Sequence, residues 1–343
     1  MEIIPLANSK ILSCYHEIKQ IARGIIPVPR SIKIFLSEVC NHRCKGCHST
    51  VLFSDTHPYL EANLYYRLID EWSKLGVASI SFTGGGEPLM HPMISNFIEY
   101  AARKKIGIGI LTNGTLLNKE KIDTVLSSGT FVRIGMDGAR RQVYAEQTGA
   151  DHFELLLDNI EKIIQRKKKL KSRITVGLKF LITKINACDI QRACALASKL
   201  GVNYLQFKPS RQNIYEISPS CGDRINRIIQ EQKAKLDREE FFIFGCAGSS
   251  KVNDGCFLNM LNTTLDTDGS LYICHAFQHR KKTHRIGNVS KKSFSEVWFN
   301  KKHAEKVKTI NIKQCQLYNC SLHEAHGVAK EAILKDRLHL QFI

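Results

Sequence analysis

The chain has 343 residues, of which 43% are hydrophobic and 24% charged, and its formal net charge is +18. This composition is typical of a globular protein with one large core, or one core and a small appended module, and excludes a small disulfide scaffold. No run approaches the ~20 apolar residues that span a bilayer, and no secretory signal opens the chain, so we expect a cytoplasmic protein. The charge predicts an anionic partner, or else a lysine-rich solvated surface.

Strand-like and helix-like segments alternate six times between about residues 31 and 236. The predicted strands are 31–37, 78–82, 107–111, 131–136, 174–182 and 204–207. The predicted helices are 60–75 before Gly76, 92–104, one from its cap Asn118 to about 128, one opened by the capping pair Asp151 and Glu154, 187–200 and 221–237. This alternation predicts an α/β fold with a parallel sheet, in which ligands bind at the carboxyl ends of the strands.

After residue 240 the sequence contains several cysteines and fewer segments with the pattern of a long helix. We therefore predict a domain boundary near 238–242, with a hairpin at 265–272 beyond it. The resulting organisation is an N-terminal extension over 1–30, an α/β domain over 31–238, a cysteine-bearing module over 239–320 and a C-terminal helix over 321–343.

Seven of the twelve cysteines fall into two spaced groups, and in a cytosolic protein this spacing favours metal ligation over disulfides. The first group is the loop of Cys40, Cys44 and Cys47, which follows the first predicted strand. Three thiolates this close can hold three irons of a [4Fe–4S] cluster and leave the fourth iron open for a small molecule. The alternative is a zinc site, with His42 or His48 as the fourth ligand.

The second group can ligate a cluster completely, which favours electron transfer over substrate binding. Its first two cysteines are separated by twelve residues, Gly269 and four further residues, and its last two form a C-x4-C pair. Its members are Cys256, Cys274, Cys315 and Cys320. The alternative for this group is a zinc ribbon.

The cysteine loop is followed one βα unit later by the run Thr83-Gly84-Gly85-Gly86-Glu87-Pro88. Together they resemble the radical S-adenosylmethionine (SAM) superfamily over residues 31–236. The resemblance implies a partial (βα)6 TIM-type barrel that binds SAM at the open iron. It also implies that the SAM contacts include Gly84, Gly85, Gly86, Glu87, Asn113 and Asp137.

Two positions depart from the superfamily pattern. The residue before the third cysteine is usually aromatic and contacts the adenine, but here it is Gly46, and Gly135 stands where a serine is common. We therefore expect adenine and ribose contacts from His48 or from backbone groups. The C-terminal module resembles the SPASM/twitch auxiliary-cluster domain, and the twitch version with one auxiliary [4Fe–4S] cluster fits its cysteine count.

The resemblance implies that a flavodoxin- or ferredoxin-type protein donates an electron for the reductive cleavage of SAM. The cleavage gives a 5′-deoxyadenosyl radical, which abstracts a hydrogen atom from the substrate. The outcome is a dehydrogenation or an epimerisation. For the second, Cys246 or Cys221 is a candidate hydrogen donor, unless each is an ordinary cysteine. Asp137 and Lys208 are expected to bind or deprotonate substrate, or else to form a structural ion pair.

About 30 residues precede the first predicted strand, too few for a leader-peptide-binding domain. We therefore expect a polar small metabolite of the sugar, cyclitol or nucleoside type as substrate. One alternative is a ribosomal-peptide maturase. An alternative of another class is a non-enzymatic iron–sulfur or zinc protein that binds nucleic acid, although the basic runs lack interleaved aromatic residues.

Overall fold

A computed structural model describes residues 8–47, 59–210, 217–248, 256, 258–274, 281–311, 326, 327 and 329. The strands within these residues are β1 Ser31–Phe35, β2 Ser79–Thr83, β3 Gly107–Thr112, β4 Phe131–Gly135, β5 Thr175–Ile182, β6 Tyr204–Pro209, β7 Phe242–Gly245, β8 Asn262–Leu265, β9 Ser270–Tyr272 and β10 Arg285–Asn288. They form one sheet in the order β10-β9-β8-β1-β2-β3-β4-β5-β6-β7. Strands β1 to β7 run parallel, as the alternating pattern predicts.

Helices precede, connect and follow these strands, and most of them contribute buried side chains to the core described below. They are α1 Tyr15–Ala22, α2 Ala62–Leu75, α3 Ile94–Arg103, α4 Lys119–Ser128, α5 Arg141–Thr148, α6 Phe153–Leu170, α7 Ile190–Leu200, α8 Pro219–Leu236, α9 Lys281–His284, α10 Phe294–Trp298 and α11 Lys301–Lys308. Short 3₁₀ helices are Asn8–Cys14, Pro88–Met90, Ala187–Asp189 and Asn259–Leu261. None of the helices within the described ranges is long and apolar enough to cross a membrane.

The main hydrophobic core lies between the sheet and these helices. Side chains of a strand alternate between its two faces, so every second residue can be apolar and buried. Ile32 and Ile34 of β1 are fully buried in this core, together with Trp72 of α2 and Phe97 of α3. The opposite face of the strands therefore lines the interior of the partial barrel.

Two helix ends follow the predicted signals, and one does not. The side chain of Asn118 accepts a hydrogen bond from the backbone N–H of Lys121, and Gly76 ends α2 in the left-handed conformation. The predicted capping pair Asp151 and Glu154 is wrong, because α6 begins at Phe153 without a side-chain cap. The Asp151 carboxylate instead pairs with Arg141 at 2.6 Å. That arginine opens α5, a helix missing from the prediction.

The C-terminal elements extend the same sheet. Strand β7 pairs with β6 beyond the predicted boundary, and β8 pairs in parallel with β1. The predicted hairpin at 265–272 is confirmed, since β8 and β9 are antiparallel. Of the predicted helix over 321–343, most residues lie outside the described part of the chain.

Helix α10 is fastened to the barrel by hydrogen bonds at both ends. The Glu71 carboxylate on α2 accepts from the backbone N–H groups of Phe294 and Ser295 and from the Ser295 hydroxyl, each at 2.8 Å. A carboxylate is favourable at this position, because the N-terminus of a helix carries partial positive charge. At the other end, the fully buried Trp298 donates its indole N–H to the carbonyl of Pro27 at 2.8 Å.

We expect Glu71→Ala to lower the melting temperature of the anaerobically purified protein by about 2–4 °C, equivalent to about 1–2 kcal/mol, because three backbone and hydroxyl donors lose their acceptor. Glu161→Ala, which removes an exposed carboxylate from α6, is the matched control and should change the melting temperature by less than about 1 °C. Equal effects of the two substitutions in thermal melts would contradict this role for Glu71.

Candidate active site

The loop that carries the first three cysteines packs against the glycine run after β2. The backbone N–H of Gly86 donates to the carbonyl of Ser37 at 2.5 Å, and that of Glu87 donates to Val39 at 2.8 Å. A Cβ atom on Gly86 would overlap the backbone of Val39, so only glycine allows this approach. The glycine run thereby holds the backbone immediately before Cys40.

Glu87 is buried and links β2 to the next strand along the sheet. One carboxylate oxygen accepts from the hydroxyl of Thr112 at 2.5 Å and from the N–H of Leu89 at 3.0 Å, and the other accepts from the N–H of Asn113 at 2.7 Å. Burial raises the pKa of Glu87, and these hydrogen bonds act in the opposite direction by stabilising the carboxylate. The predicted SAM-binding glutamate thus also braces the ends of two strands.

Asn113 connects the end of β3 to the cysteine loop. Its side-chain amide donates to the Asn41 side chain at 2.7 Å, and its own carbonyl accepts from the hydroxyl of Thr115 at 2.8 Å. The Asn41 amide closes the network by donating to the same hydroxyl at 2.9 Å. Asn41 was not among the residues predicted from the sequence, although it lies directly after Cys40.

The three thiols of the loop fit an iron–sulfur cluster better than a single metal ion. Burial raises the pKa of Cys40 to about 11 and that of Cys44 well above its usual range, so only a bound cation would keep these thiols ionised at neutral pH. Within the described residues, no group of three or more His, Cys, Asp or Glu side chains is placed to hold a single metal ion such as zinc. A cluster needs no common point, because each thiolate binds a different iron.

His42 lies inside the loop, between the ring of His152 and the sulfur of Cys44. Its ring is buried and stands 3.2 Å from the ring nitrogen of His152, with its other nitrogen 4.0 Å from the sulfur of Cys44. Burial lowers the pKa of His42 to about 4, so the imidazole is neutral. The other predicted candidate, His48, lies outside the described residues, and its expected adenine contact stays a prediction.

Gly46 has a backbone angle φ of +82°, which favours glycine over the aromatic residue common in the superfamily. A Cβ atom there would lie 3.1 Å from the hydroxyl oxygen of Ser210, at the end of the sixth strand. Ser210 also lines a cavity of about 310 Å³ at the carboxyl ends of β5, β6 and β7. The cysteine loop therefore borders a cavity large enough for part of a substrate.

Asp137 forms an ion pair, but its partner is Lys179. The Lys179 amine lies 3.0 Å from one carboxylate oxygen, and the N–H of Leu181 donates to the other at 2.7 Å. Lys208 is one strand further along, in register with Leu181. The sequence analysis did not single out Lys179, although its alternation with buried Leu178 and Phe180 would have placed it on the same inner face.

The second cysteine group is only partly described. Cys256 and Cys274, both half-buried, flank the β8–β9 hairpin, whereas Cys315 and Cys320 lie outside the described residues. The segment that follows the hairpin has a structural role: Asn288 donates its amide to the carbonyl of Asp268 at 2.8 Å. A capping box of Ser293 and Glu296 then opens α10.

The two candidate hydrogen donors differ in position. Cys246 follows β7 directly and its side chain is exposed, next to Ala247 and Gly248 in the wall of the cavity. Cys221 is half-buried in the first turn of α8. Its neighbours Pro219 and Gly222 line the same cavity, so position alone does not decide between the two candidates.

Comparison with known proteins identifies the family. The sequence model of the radical SAM superfamily matches residues 34–196, and that of SPASM, an iron–sulfur cluster-binding domain, matches residues 256–321. The chain belongs to the radical SAM superfamily. It is therefore a radical SAM enzyme with a SPASM domain, rather than a non-enzymatic nucleic-acid-binding protein. Its cofactors are SAM, a catalytic [4Fe–4S] cluster and an auxiliary [4Fe–4S] cluster.

Individual relatives are distant but cover most of the chain. The tungsten-containing aldehyde ferredoxin oxidoreductase cofactor-modifying protein of Pyrococcus furiosus is 23% identical, over 85% of this chain and 87% of that protein. The mycofactocin maturase MftC of Mycobacterium ulcerans is 25% identical, over 82% and 78%. The crystal structure of Streptococcus suis SuiB bound to precursor peptide SuiA has the same fold, with a TM-score of 0.69 at 16% identity, over 91% and 74%.

We expect Cys44→Ser to lower the iron content of the reconstituted radical SAM enzyme from about eight to about four atoms per chain and to abolish SAM cleavage, because the catalytic cluster loses one of its three ligands. Cys188→Ser, at an exposed thiol outside both groups, is the control and should retain iron and 5′-deoxyadenosine formation. Iron loss in both variants, or zinc in place of iron, would contradict the ligand assignment.

Proposed function

We propose that this radical SAM enzyme modifies a peptide, abstracting a hydrogen atom from a residue that lies close to a negatively charged group of the substrate. Bound SAM and the catalytic cluster supply a 5′-deoxyadenosyl radical when a flavodoxin- or ferredoxin-type protein donates one electron. Cys40, Cys44 and Cys47 would hold that cluster, and Cys256, Cys274, Cys315 and Cys320 the auxiliary one. Gly84 to Glu87 and Asn113 would line the SAM site.

The negative charge proposed for the substrate is supported by the distribution of charged residues along the barrel strands. Strands β1 to β10 contain no aspartate or glutamate, whereas β1, β4, β5 and β6 each contain one cation. Each cation follows an apolar residue that is fully or almost fully buried against the helices, so its side chain points to the inner face. These cations are Lys33, Arg133, Lys179 and Lys208.

The inner face therefore concentrates positive charge where water is partly excluded. Asp137 accepts from Lys179, and Arg133 donates to the neutral amide oxygen of Gln206 at 2.8 Å. A concave surface of one sign attracts ligands of the opposite sign, so an acidic side chain, a carboxyl terminus or a phosphate of the substrate suits this barrel.

The peptide class is supported by the similarity to SuiB, which was crystallised with a precursor peptide, and to a maturase of mycobacteria. The open sheet supports it too. Among the described strands, β7 and β10 form free edges and do not pair with each other, so the barrel is open to an extended chain. These findings favour the peptide alternative over the small metabolite expected from the sequence.

Residue roles follow from this arrangement. Lys208 would bind the anionic group of the peptide, and Asp137 would hold Lys179 in place for the carboxylate of SAM. Cys246 would return a hydrogen atom if the reaction is an epimerisation, whereas a dehydrogenation needs no donor. The two outcomes differ in product mass, which makes them easy to separate.

The test is anaerobic incubation of the reconstituted enzyme with SAM, dithionite and the short peptides encoded beside its gene, followed by mass spectrometry. We expect either loss of two hydrogen atoms or, in deuterated water, gain of one deuterium that disappears in Cys246→Ala. An enzyme that cleaves SAM but modifies only sugars, cyclitols or nucleosides would contradict the peptide proposal.

We expect Lys208→Met to lower kcat/KM for an acidic peptide by about tenfold or more, since a charge-assisted hydrogen bond contributes about 1.5–3 kcal/mol, with partial recovery in Lys208→Arg. Cleavage of SAM without peptide should be unaffected. Arg285→Met, at an exposed cation on the outer strand β10, is the matched control and should leave kcat/KM unchanged.

A further inference from the structure

The C-terminal turn of helix α5 is hydrogen-bonded to the cysteine loop. The backbone N–H of Arg43 donates to the carbonyl of Thr148 at 2.9 Å, and that of Lys45 donates to Gln147 at 2.8 Å. The Gln147 side chain returns a hydrogen bond to the carbonyl of Lys45 at 2.5 Å. These bonds fix the position of the helix relative to Cys44, which lies between Arg43 and Lys45.

Tyr144, on the inward side of this helix, is fully buried. Its ring meets the ring of His42 edge to face at 6.1 Å and the ring of Phe153 at 5.6 Å. A Cβ atom on Gly138 would overlap the backbone of Tyr144, which places this residue beside the end of β4 and Asp137. The tyrosine therefore lies between the cysteine loop and the catalytic rim of the barrel.

The hydroxyl of Tyr144 is buried and has no hydrogen-bond partner within the described part of the chain. A buried phenol normally finds a partner, because leaving its hydroxyl unsatisfied costs about 1–3 kcal/mol. Burial raises the pKa of Tyr144, and the charges of Cys44, Asp137 and Glu87 raise it further, so the hydroxyl keeps its proton. His42, whose ring meets that of Tyr144, lies 4.0 Å from the Cys44 sulfur, so the tyrosine is one side chain away from this cluster ligand.

We propose that the Tyr144 hydroxyl donates a hydrogen bond to an anionic sulfur on the Cys44 side of the catalytic cluster, and so raises the reduction potential of that cluster. The proposal rests on the assignment of the Cys40–Cys47 loop to the catalytic cluster. The reduced cluster carries one more negative charge, so a donor to its sulfur stabilises the reduced state more than the oxidised one. Tyr144 would thus ease the entry of an electron into the cluster.

The experiment compares wild-type, Tyr144→Phe and Tyr65→Phe enzymes, each reconstituted anaerobically as the full chain. Tyr65 is the control: it too is fully buried, but its hydroxyl donates to the carbonyl of Phe97 at 2.7 Å, within the helical core. The probe is the electron paramagnetic resonance signal that changes when SAM is added, which identifies the catalytic cluster. This signal is then followed in redox titrations, first without SAM and then with it.

In Tyr144→Phe we expect iron content to be unchanged and the reduced-to-oxidised ratio of this cluster to fall about threefold to tenfold at the wild-type midpoint. Tyr65→Phe should leave the ratio unchanged. The melting temperatures of the cluster-free proteins give an independent readout. Tyr144→Phe removes a hydroxyl without a partner among the described residues and should not lower the melting temperature. Tyr65→Phe leaves a buried carbonyl without its donor and should lower it.

Two results would overturn the proposal. An unchanged ratio in Tyr144→Phe would mean that the hydroxyl does not contact the cluster. A change that occurs only after SAM is added would assign the hydroxyl to SAM instead. Failure of the peptide proposal leaves this test intact, since it uses no substrate, and loss of iron in Cys44→Ser identifies the cluster independently.

Discussion

The buried carboxylate of Glu87 is the interaction on which the geometry of the active site depends. It joins the end of β2 to the end of β3, while its backbone and that of Gly86 are hydrogen-bonded to the segment that leads from β1 into the cysteine loop. Three strand ends are thereby held in one arrangement. A carboxylate buried this deeply is stable only because all its hydrogen bonds come from fixed donors.

The rest of the site is arranged around this junction by strand order. Parallel strands present their carboxyl ends on one side, so the cysteine loop after β1, Asn113 after β3 and Asp137 after β4 meet although they are far apart in sequence. Asn41 and α5 then tie the loop to the third and fourth βα units. A substitution at one of these strand ends would therefore disturb the others.

The electrostatics of the barrel add a second level of organisation. The acidic groups Glu87 and Asp137 lie at the rim of the site, whereas every charged side chain on the inner face of the described strands is a cation. In the function proposed above, the cluster, SAM and the substrate all bear negative groups. The cations therefore offset their mutual repulsion, and burial strengthens that effect because the local dielectric constant is lower than that of water.

The sequence by itself determined the superfamily, the parallel sheet, the cysteine loop and the hairpin of the C-terminal module. Their signals are local: thiol spacing, alternation of apolar residues and turn glycines depend on neighbours only a few positions away. The capping pair at Asp151 was wrong: His152 occupies the N-cap of α6, and the Asp151 carboxylate pairs instead with Arg141 of α5.

Only the tertiary structure decided which side chains meet. The pairing of Asp137 with Lys179, the bracing of two strands by Glu87, the continuous sheet from β6 to β7 and the position of Tyr144 against the cysteine loop join residues from different βα units. Such contacts depend on strand register and helix packing, which sequence periodicity does not specify.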